Sequence, residues 1–338
     1  LPRQKVFLEQ SGWFYKISPR LGFSHVITDK STFTFNYGLY YQTPVYQNIY
    51  LNTNRLEDPE ALFEEGEGQV GNATMGAERT QDYSVGFNVQ VGESWAYTLS
   101  AWVRDFDQMT RYSHERSGVY SYQISVNGDY GSARGLDLTL EWRRRLFGSQ
   151  LQYSYSISKA NSEYAWASIS GQYVDAPSQE FTTYFDRPHS LTYYAYTFLP
   201  YGIQMGLTAN YQSGYPYTPI IFRGKDPVTD ERNRNSKRGP GTRNVNISFS
   251  KYLMVMNHKI ALGLNFFNVL DIRNPIDVWP MTGKPDDPGT YYTDYVGLPG
   301  TDPSGQGKYA NKSSAYYDRP WRLSSPREIN FFVRIDFD

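Results

Sequence analysis

The sequence predicts an all-β protein, an antiparallel β-barrel that crosses a membrane. Apolar and polar side chains alternate along many short segments, which places each set on its own face of a sheet. Short turns and long loops alternate between these segments, as they do in membrane barrels. Aromatic residues make up 17% of the 338 residues, and no apolar run approaches the roughly 20 residues that a membrane helix requires. Any membrane crossing must therefore use strands.

The alternation predicts about eleven strands. It is clearest at 203–212, where Ile, Met, Leu, Ala and Tyr hold the odd positions and Gln, Gly, Thr and Asn the even ones. It is less regular at 17–26, 95–104 and 189–198. In chain order the predicted strands are 17–26, 33–41, 83–91, 95–104, 136–142, 151–157, 189–198, 203–212, 244–249, 260–266 and 329–337. Because half of each strand would face a polar interior, the mean hydropathy of -0.61 does not exclude a membrane protein.

Five short connections alternate with five long loops. The short ones, rich in the residues of hairpin turns, are 28–30, 92–94, 144–148, 199–202 and 253–257. The long ones are 43–77, 107–127, 161–185, 213–240 and 271–326. Because successive turns of an up-and-down barrel emerge on opposite rims, this order places every long loop on one side.

A soluble β-sandwich is the alternative, since its strands also alternate when one sheet face packs on a core. The loops on one side, a polar face rich in Ser, Thr, Asn, Gln and Gly, and Tyr or Trp at many strand ends favour the membrane. An odd number of strands cannot close an antiparallel barrel. We therefore expect the chain to begin at a long-loop end, partway through a larger barrel.

Composition excludes several classes of protein. The absence of Cys removes disulfides and thiolate metal sites. A formal net charge of -1 gives no whole-chain attraction to nucleic acid. The chain opens with Leu1 and has no signal-like apolar stretch near its start. These features predict an internal or processed piece of an envelope protein that binds no nucleic acid.

No catalytic arrangement is visible, so the sequence predicts that the protein is not an enzyme and that it needs no metal or cofactor. His25, His114, His189 and His258 lie far apart and lack the i, i+4 spacing of a helical zinc motif. P-loop, Rossmann and nucleophile-elbow patterns are also missing.

Two loops carry distinctive charge. The acidic cluster can attract calcium but lacks the ligand order of an EF-hand, and simple solvation is the alternative. It consists of Glu57, Asp58, Glu60, Glu64, Glu65 and Glu67. The basic loop can attract anionic ligands or lipid phosphates, or be merely solvated. Its cations are Arg223, Lys225, Arg232, Arg234, Lys237 and Arg238.

Aromatic residues in the long loops are the predicted ligand contacts, because stacking combines apolar contact with hydrogen bonding. Their alternative role is to pack the loops or to sit at the membrane interface. The candidates are Tyr215, Tyr217, Trp279, Tyr291, Tyr292, Tyr295, Tyr316, Tyr317 and Trp321.

The chain resembles the barrel of TonB-dependent outer-membrane receptors. Its most specific segment is Leu264-Asn-Phe-Phe-Asn-Val-Leu-Asp271, followed by Thr282-Gly-Lys-Pro-Asp-Asp-Pro-Gly289. Asp186-Arg-Pro-His189 before one strand and Gln212-Ser-Gly-Tyr-Pro-Tyr-Thr-Pro219 after another are similar to recurrent receptor motifs. The last segment resembles the terminal strand that the barrel-assembly machinery recognises, with Ile329, Phe331, Val333, Ile335 and Phe337 on one face.

The resemblance implies an outer-membrane barrel of 22 strands, of which residues 1–338 form the C-terminal half. The plug domain and the N-terminal half of the barrel would lie outside this chain. It also implies that the TonB–ExbB–ExbD system energises import of a scarce nutrient such as a siderophore, vitamin, oligosaccharide or peptide. Lipid and the assembly machinery would be further partners.

Two other functions remain open. One is a non-transporting barrel that docks other envelope proteins through its long loops. The other is a soluble β-rich binding protein.

Overall fold

The structure is a computed structural model. It describes residues 15–51, 69–117, 120–161, 168–169, 172–173, 179–224, 226–255, 258–287 and 322–336. Eleven strands form one sheet in which each strand pairs with its neighbours in the chain, always antiparallel. They are β1 (Arg20–Thr28), β2 (Ser31–Gln42), β3 (Glu78–Val91), β4 (Trp95–Ser117), β5 (Tyr120–Arg144), β6 (Phe147–Ala160), β7 (His189–Leu199), β8 (Ile203–Gln212), β9 (Thr242–Val255), β10 (His258–Phe267) and β11 (Glu328–Asp336).

Several small elements lie in the loops and turns between these strands. A five-residue helix, α1 (Tyr46–Tyr50), follows β2. The short paired strands are Gln69–Val70 with β5, Phe181–Thr182 with β6, Ser168–Ile169 with Gln172–Tyr173, Pro216–Tyr217 with Lys237–Arg238, and Ile220–Arg223 with Asp226–Thr229. Single 3-10 turns lie at Pro200–Gly202 and Glu231–Asn233. None of the helices among the described residues has both the length and the apolar character needed to span a membrane.

The prediction of a long loop at 107–127 is wrong. β4 and β5 continue through it as a hairpin, with strands of 23 and 25 residues where about 9–11 suffice to cross a membrane. An irregular register at Phe106–Thr110 and a positive φ of 57° at Gln108 mark a bulge, beyond which pairing resumes. The alternation ends there because that half of the hairpin lies beyond lipid. Ladder hydrogen bonds and packing against the segment that contains Gln69–Val70 hold it instead.

The register aligns the apolar side chains of neighbouring strands into rows across one face. One such row is Phe33, Phe87, Leu99, Leu138, Tyr153, Leu191 and Tyr211. Phe87, Leu99 and Leu136 on this face are 41%, 44% and 49% exposed, and within the described residues no second layer covers them. A β-sandwich would bury these side chains in a core. The rows are therefore the lipid-facing surface of a barrel wall.

Aromatic girdles border this surface. Trp95 stacks on Trp142 with ring centroids 5.3 Å apart near the short-turn rim, and Tyr37 packs on Tyr83 at 5.0 Å near the long-loop rim. Arg134 lies in the apolar row nearest the long-loop rim, eight residues along β5 from Trp142. Eight residues of a strand span about 26 Å. With a strand tilt of 35–45° this is about 20 Å across the membrane, close to the ~25 Å apolar band of such barrels.

The opposite face is polar and lines the barrel interior. Several of its aromatic rings lie on glycines of the neighbouring strand, as Tyr196 does on Gly148 and Phe332 does on Gly263. A Cβ atom at Gly263 would collide with the ring of Phe332. The glycines are therefore required by close packing across strands.

The sheet is open over the described residues, because β1 and β11 each pair on one side only. Every residue of β1 is exposed. In β11 the predicted apolar residues Ile329, Phe331, Val333 and Ile335 are all exposed on the lipid-facing side, whereas Phe337 lies outside the described residues. The eleven strands therefore form part of a barrel, as the odd strand count predicts.

Candidate functional site

A network of ion pairs and hydrogen bonds ties the long loops together where β6, β7, β8 and β9 reach the rim. Its centre is Asp186, whose buried carboxylate accepts a hydrogen bond from the backbone N–H of Ser158 at 2.6 Å and forms an ion pair with Arg238. Arg238 also donates to the backbone oxygens of Asp186 at 2.6 Å and Gly214 at 3.2 Å. One arginine therefore joins three segments of the chain.

Arg187 extends this network to the candidate ligand contacts. Its Nε donates to the backbone oxygen of Ser213 at 2.6 Å and its Nη2 donates to the hydroxyl of Thr242 at 2.5 Å. The guanidinium lies over the ring of Tyr215, 4.4 Å from its centroid. We call Asp186, Arg187, Ser213 and Arg238 the loop network. It joins the two receptor-like motifs that follow β6 and β8.

A cavity of about 320 Å³ opens beside this network. We call it the loop cavity. Its lining is Tyr184, Tyr215, Pro216, Tyr217, Thr218, Gly239, Pro240, Thr242, Pro275, Ile276, Asp277, Val278 and Pro280. Aromatic rings and prolines give it apolar walls, while the Tyr hydroxyls and the Asp277 carboxylate supply hydrogen-bonding groups. Such walls suit a ligand with ring faces and a few polar groups.

Tyr215 and Tyr217 occupy different settings in the loop cavity. The side chain of Tyr215 is 49% exposed. Tyr217 is half-buried, and burial raises the pKa of its phenol above the ordinary value of 10.0. Gly283, with a positive φ of 72°, lies directly against the Tyr217 ring, where any Cβ atom would collide with it. The turn at Thr282–Lys284 thereby positions one wall of the cavity.

Trp279 is placed differently from its prediction as a ligand contact. It is only 8% exposed, and the guanidinium of Arg322 lies 3.9 Å from its ring centroid. Its backbone N–H donates to Lys284 at 2.9 Å and its backbone oxygen accepts from Gly283 at 2.7 Å. Trp279 therefore packs the loop from within. The remaining candidates lie outside the described residues: Tyr291, Tyr292, Tyr295, Tyr316, Tyr317 and Trp321.

Of the two charged loops, only the basic one lies largely within the described residues. The acidic cluster 57–67 lies outside the described residues. In the basic loop, Arg238 belongs to the loop network and Arg234 lies over the ring of Phe181 at 4.8 Å. At least two of the predicted cations are therefore engaged in loop packing. The described residues contain no group of three His, Asp or Glu side chains suited to a metal ion.

A second concavity, of about 350 Å³, lies on the polar inner face. We call it the lumen pocket. Arg104 Nε forms an ion pair with Asp82 at 2.7 Å, and Trp102 Nε1 donates to Asp137 at 2.8 Å. The Arg104 guanidinium lies over the Trp102 ring at 4.8 Å. The sequence did not lead us to predict these residues as a site. The signal that could have indicated them is the presence of charged and aromatic residues on the polar face of three successive strands.

Residues 6–269 match a family model described as TonB dependent receptor-like, beta-barrel. The chain belongs to the TonB-dependent receptor family. Its strands therefore lie in the outer membrane, and the predictions of a partial, antiparallel outer-membrane barrel are confirmed. No curated protein sequence matches the chain.

Solved receptor structures share the fold of this TonB-dependent receptor chain. The outer-membrane transporter YddB from Escherichia coli matches with a TM-score of 0.59 and 15% identity over 78% of this chain. A ferric enterobactin receptor variant from Pseudomonas aeruginosa matches with a TM-score of 0.52 and 14% identity over 76% of it. The matched part spans 38% and 35% of those two proteins. The chain therefore corresponds to little more than a third of a receptor of this kind.

Proposed function

We propose that this chain forms wall and outer loops of a TonB-energised importer of a scarce nutrient, and that the loop cavity contacts that nutrient. The observation that carries the proposal is the loop cavity itself, which lies at the long-loop rim of a TonB-dependent receptor barrel and is braced by the loop network. Long loops of outer-membrane barrels face the exterior. A nutrient would meet this cavity before it reaches the barrel interior.

The walls of the loop cavity favour a ligand with ring faces. Tyr215 and Tyr217 offer stacking surfaces, and Arg187 behind Tyr215 holds its ring in place. Stacking on an aromatic ring requires only a flat apolar face on the ligand. Siderophores, vitamins, oligosaccharides and aromatic peptides can all offer such a face. The P. aeruginosa receptor that is similar in fold is named for ferric enterobactin.

The chain needs partners for this role. The open edges of β1 and β11 would pair with the remaining strands of the barrel, and a plug domain would contact the polar inner face, including the lumen pocket. TonB, ExbB and ExbD would supply the energy for uphill import. The barrel-assembly machinery would recognise β11 together with Phe337. In this proposal the protein performs no catalysis.

Substitution of the cavity tyrosines tests the proposal. Tyr215→Ala and Tyr217→Ala in the complete receptor should each lower nutrient uptake by intact cells by about tenfold, the effect of losing roughly 1.4 kcal/mol of contact energy. The matched control is Tyr201→Ala, since Tyr201 is 87% exposed in a short turn on the other rim. Unchanged uptake in both cavity variants would exclude the loop cavity as a ligand contact.

The alternative function, a scaffold that docks other envelope proteins, is favoured by a separate exposed surface. Tyr46 and Tyr50 of α1 are 77% and 61% exposed, and their rings pack 6.1 Å apart beside the long hairpin of β4 and β5. Exposed paired aromatics are common at protein interfaces. If cells that lack TonB activity lose no uptake and Tyr46→Ala releases a co-purifying envelope protein, the scaffold function replaces the importer.

A further inference from the structure

The lipid-facing surface contains an apolar hollow of about 410 Å³. We call it the outer hollow. It forms because Ala101 stands in a row between Val85 and Leu136, and a methyl group fills less space than the larger side chains around it. The side chains that line it on this face are Tyr83, Val85, Ala101, Val103, Arg134, Leu136, Tyr155 and Ile157.

Arg134 is the one charged residue in this lining. It pairs with Ile157 across β5 and β6, and Lys159 lies two residues beyond Ile157 on the same face. Side chains in such a diagonal arrangement are within reach of a common ligand. The two cations therefore stand together at the long-loop edge of the outer hollow.

Both cations are exposed. Neither has an ion-pair or hydrogen-bond partner among the described residues. Two carboxylates lie near the pair on this face. Glu180, two residues before Thr182, is diagonal to Lys159, is exposed and forms no ion pair with it within the described residues. Asp105 pairs with Ser132 and is thus diagonal to Arg134 on the side away from Lys159. Asp105 is also exposed and forms no ion pair with either cation within the described residues. The positive charges of Arg134 and Lys159 are therefore available to an external anion.

The depth of this pair in the membrane identifies the anion. Arg134 belongs to the outermost apolar row, together with Tyr37, Tyr83 and Val103, whereas the next row outward is polar at Gln81 and Asp105. This row marks the boundary between hydrocarbon and headgroups on the long-loop side. Lipid phosphates lie at that depth, directly above acyl chains.

We propose that this face binds one phosphate-bearing lipid of the outer leaflet. An acyl chain occupies the outer hollow, and the phosphate lies between the guanidinium of Arg134 and the ammonium of Lys159. Arginine can donate two parallel hydrogen bonds to a phosphate, and lysine adds a point charge. Tyr83 and Tyr155 flank the acyl chain at the interface. The bound lipid would compensate two cations at the edge of the membrane that form no ion pair with any described residue.

Lipid binding to the complete receptor in detergent micelles tests the proposal, with lipid A as the probe and native mass spectrometry as the readout. Wild-type protein should retain one lipid A molecule. The double variant R134Q/K159Q should weaken this binding at least tenfold, and Ala101→Phe, which fills the outer hollow, should weaken it comparably. Arg243→Gln is the matched control, because Arg243 is an exposed arginine on the same face far from the hollow.

Specific results would overturn the proposal. One is an equal loss in Arg243→Gln, which would reveal general charge attraction. Another is equal binding of dephosphorylated lipid A, which would show that the phosphate makes no contact with the two cations. Asp105→Asn should leave binding unchanged or stronger, because it removes a negative charge near the phosphate. Folding of each variant is monitored by heat-modifiable migration, and nutrient uptake is a separate property of the loop cavity.

Discussion

Replacing Arg238 with glutamine should loosen the loop network and open the loop cavity. The guanidinium of Arg238 neutralises the carboxylate of Asp186, whose side chain is 1% exposed, while the side chain of Arg238 is 32% exposed. Glutamine retains a hydrogen-bond donor but removes the charge. The carboxylate would then be buried without a counter-ion, and its two remaining restraints would be the N–H of Ser158 and the local packing.

The magnitude follows from the burial of the two partners. Removing one member of a buried ion pair costs about 3–5 kcal/mol, because it leaves an uncompensated charge. Since about a third of the Arg238 side chain is reached by water, solvent screening lowers this, and we expect about 2–3 kcal/mol. That corresponds to a ~30- to ~150-fold increase in the population of open loops.

Hydrogen exchange of single backbone amides measures this opening. Ser158 N–H donates to Asp186 at 2.6 Å and Gly239 N–H donates to Tyr215 at 3.0 Å, so both amides should exchange faster in Arg238→Gln. Arg232→Gln, an exposed residue of the same loop, should change neither. Asp186→Asn added to Arg238→Gln removes the buried charge, so the double variant should lose less protection than the two single losses combined.

The reasoning is refuted if both amides keep their protection in Arg238→Gln, or if Arg232→Gln lowers it equally. Strict additivity in the double variant would also refute it, since the two residues would then act independently.

Three further predictions concern the wall and the cavity. Leu138→Arg on the lipid-facing surface should destabilise the receptor by about 2–4 kcal/mol in urea unfolding from micelles, whereas Thr139→Arg on the inner face should cost far less; equal costs would contradict the assignment of faces. Gly263→Val should destabilise by about 1–3 kcal/mol because its side chain collides with Phe332, whereas Gly22→Val, with its nearest neighbour at 3.4 Å, should not. Because burial raises the pKa of Tyr217, the stability from its neutral phenol should be complete below its ordinary value of 10.0 and lost as pH rises through the folded-state pKa. Tyr217→Phe should remove one phenolate step above pH 10.0 from the absorbance titration, and an unchanged titration curve above that pH would exclude this assignment.

The strands and short turns of the barrel wall can largely be predicted from the sequence. Lipid on one side and a polar interior on the other impose a period of two, and every predicted strand overlaps an observed one. The short turns also agree, since Gly92 and Gly202 adopt the positive φ values that hairpin turns require. The prediction of a loop at 107–127 was wrong because β4 and β5 extend beyond lipid, where no apolar face is needed and the alternation disappears.

The sequence alone determined the strand pattern, the one-sided loops and the partial barrel, because these depend on residues close together in the chain and on the solvent each face meets. Tertiary structure decided which of the loop residues meet. Asp186 and Arg238 are 52 residues apart, and the outer hollow combines side chains from four strands whose register sets their neighbours. Such sites depend on pairing register and loop packing, which are non-local contacts that no local pattern of residues specifies.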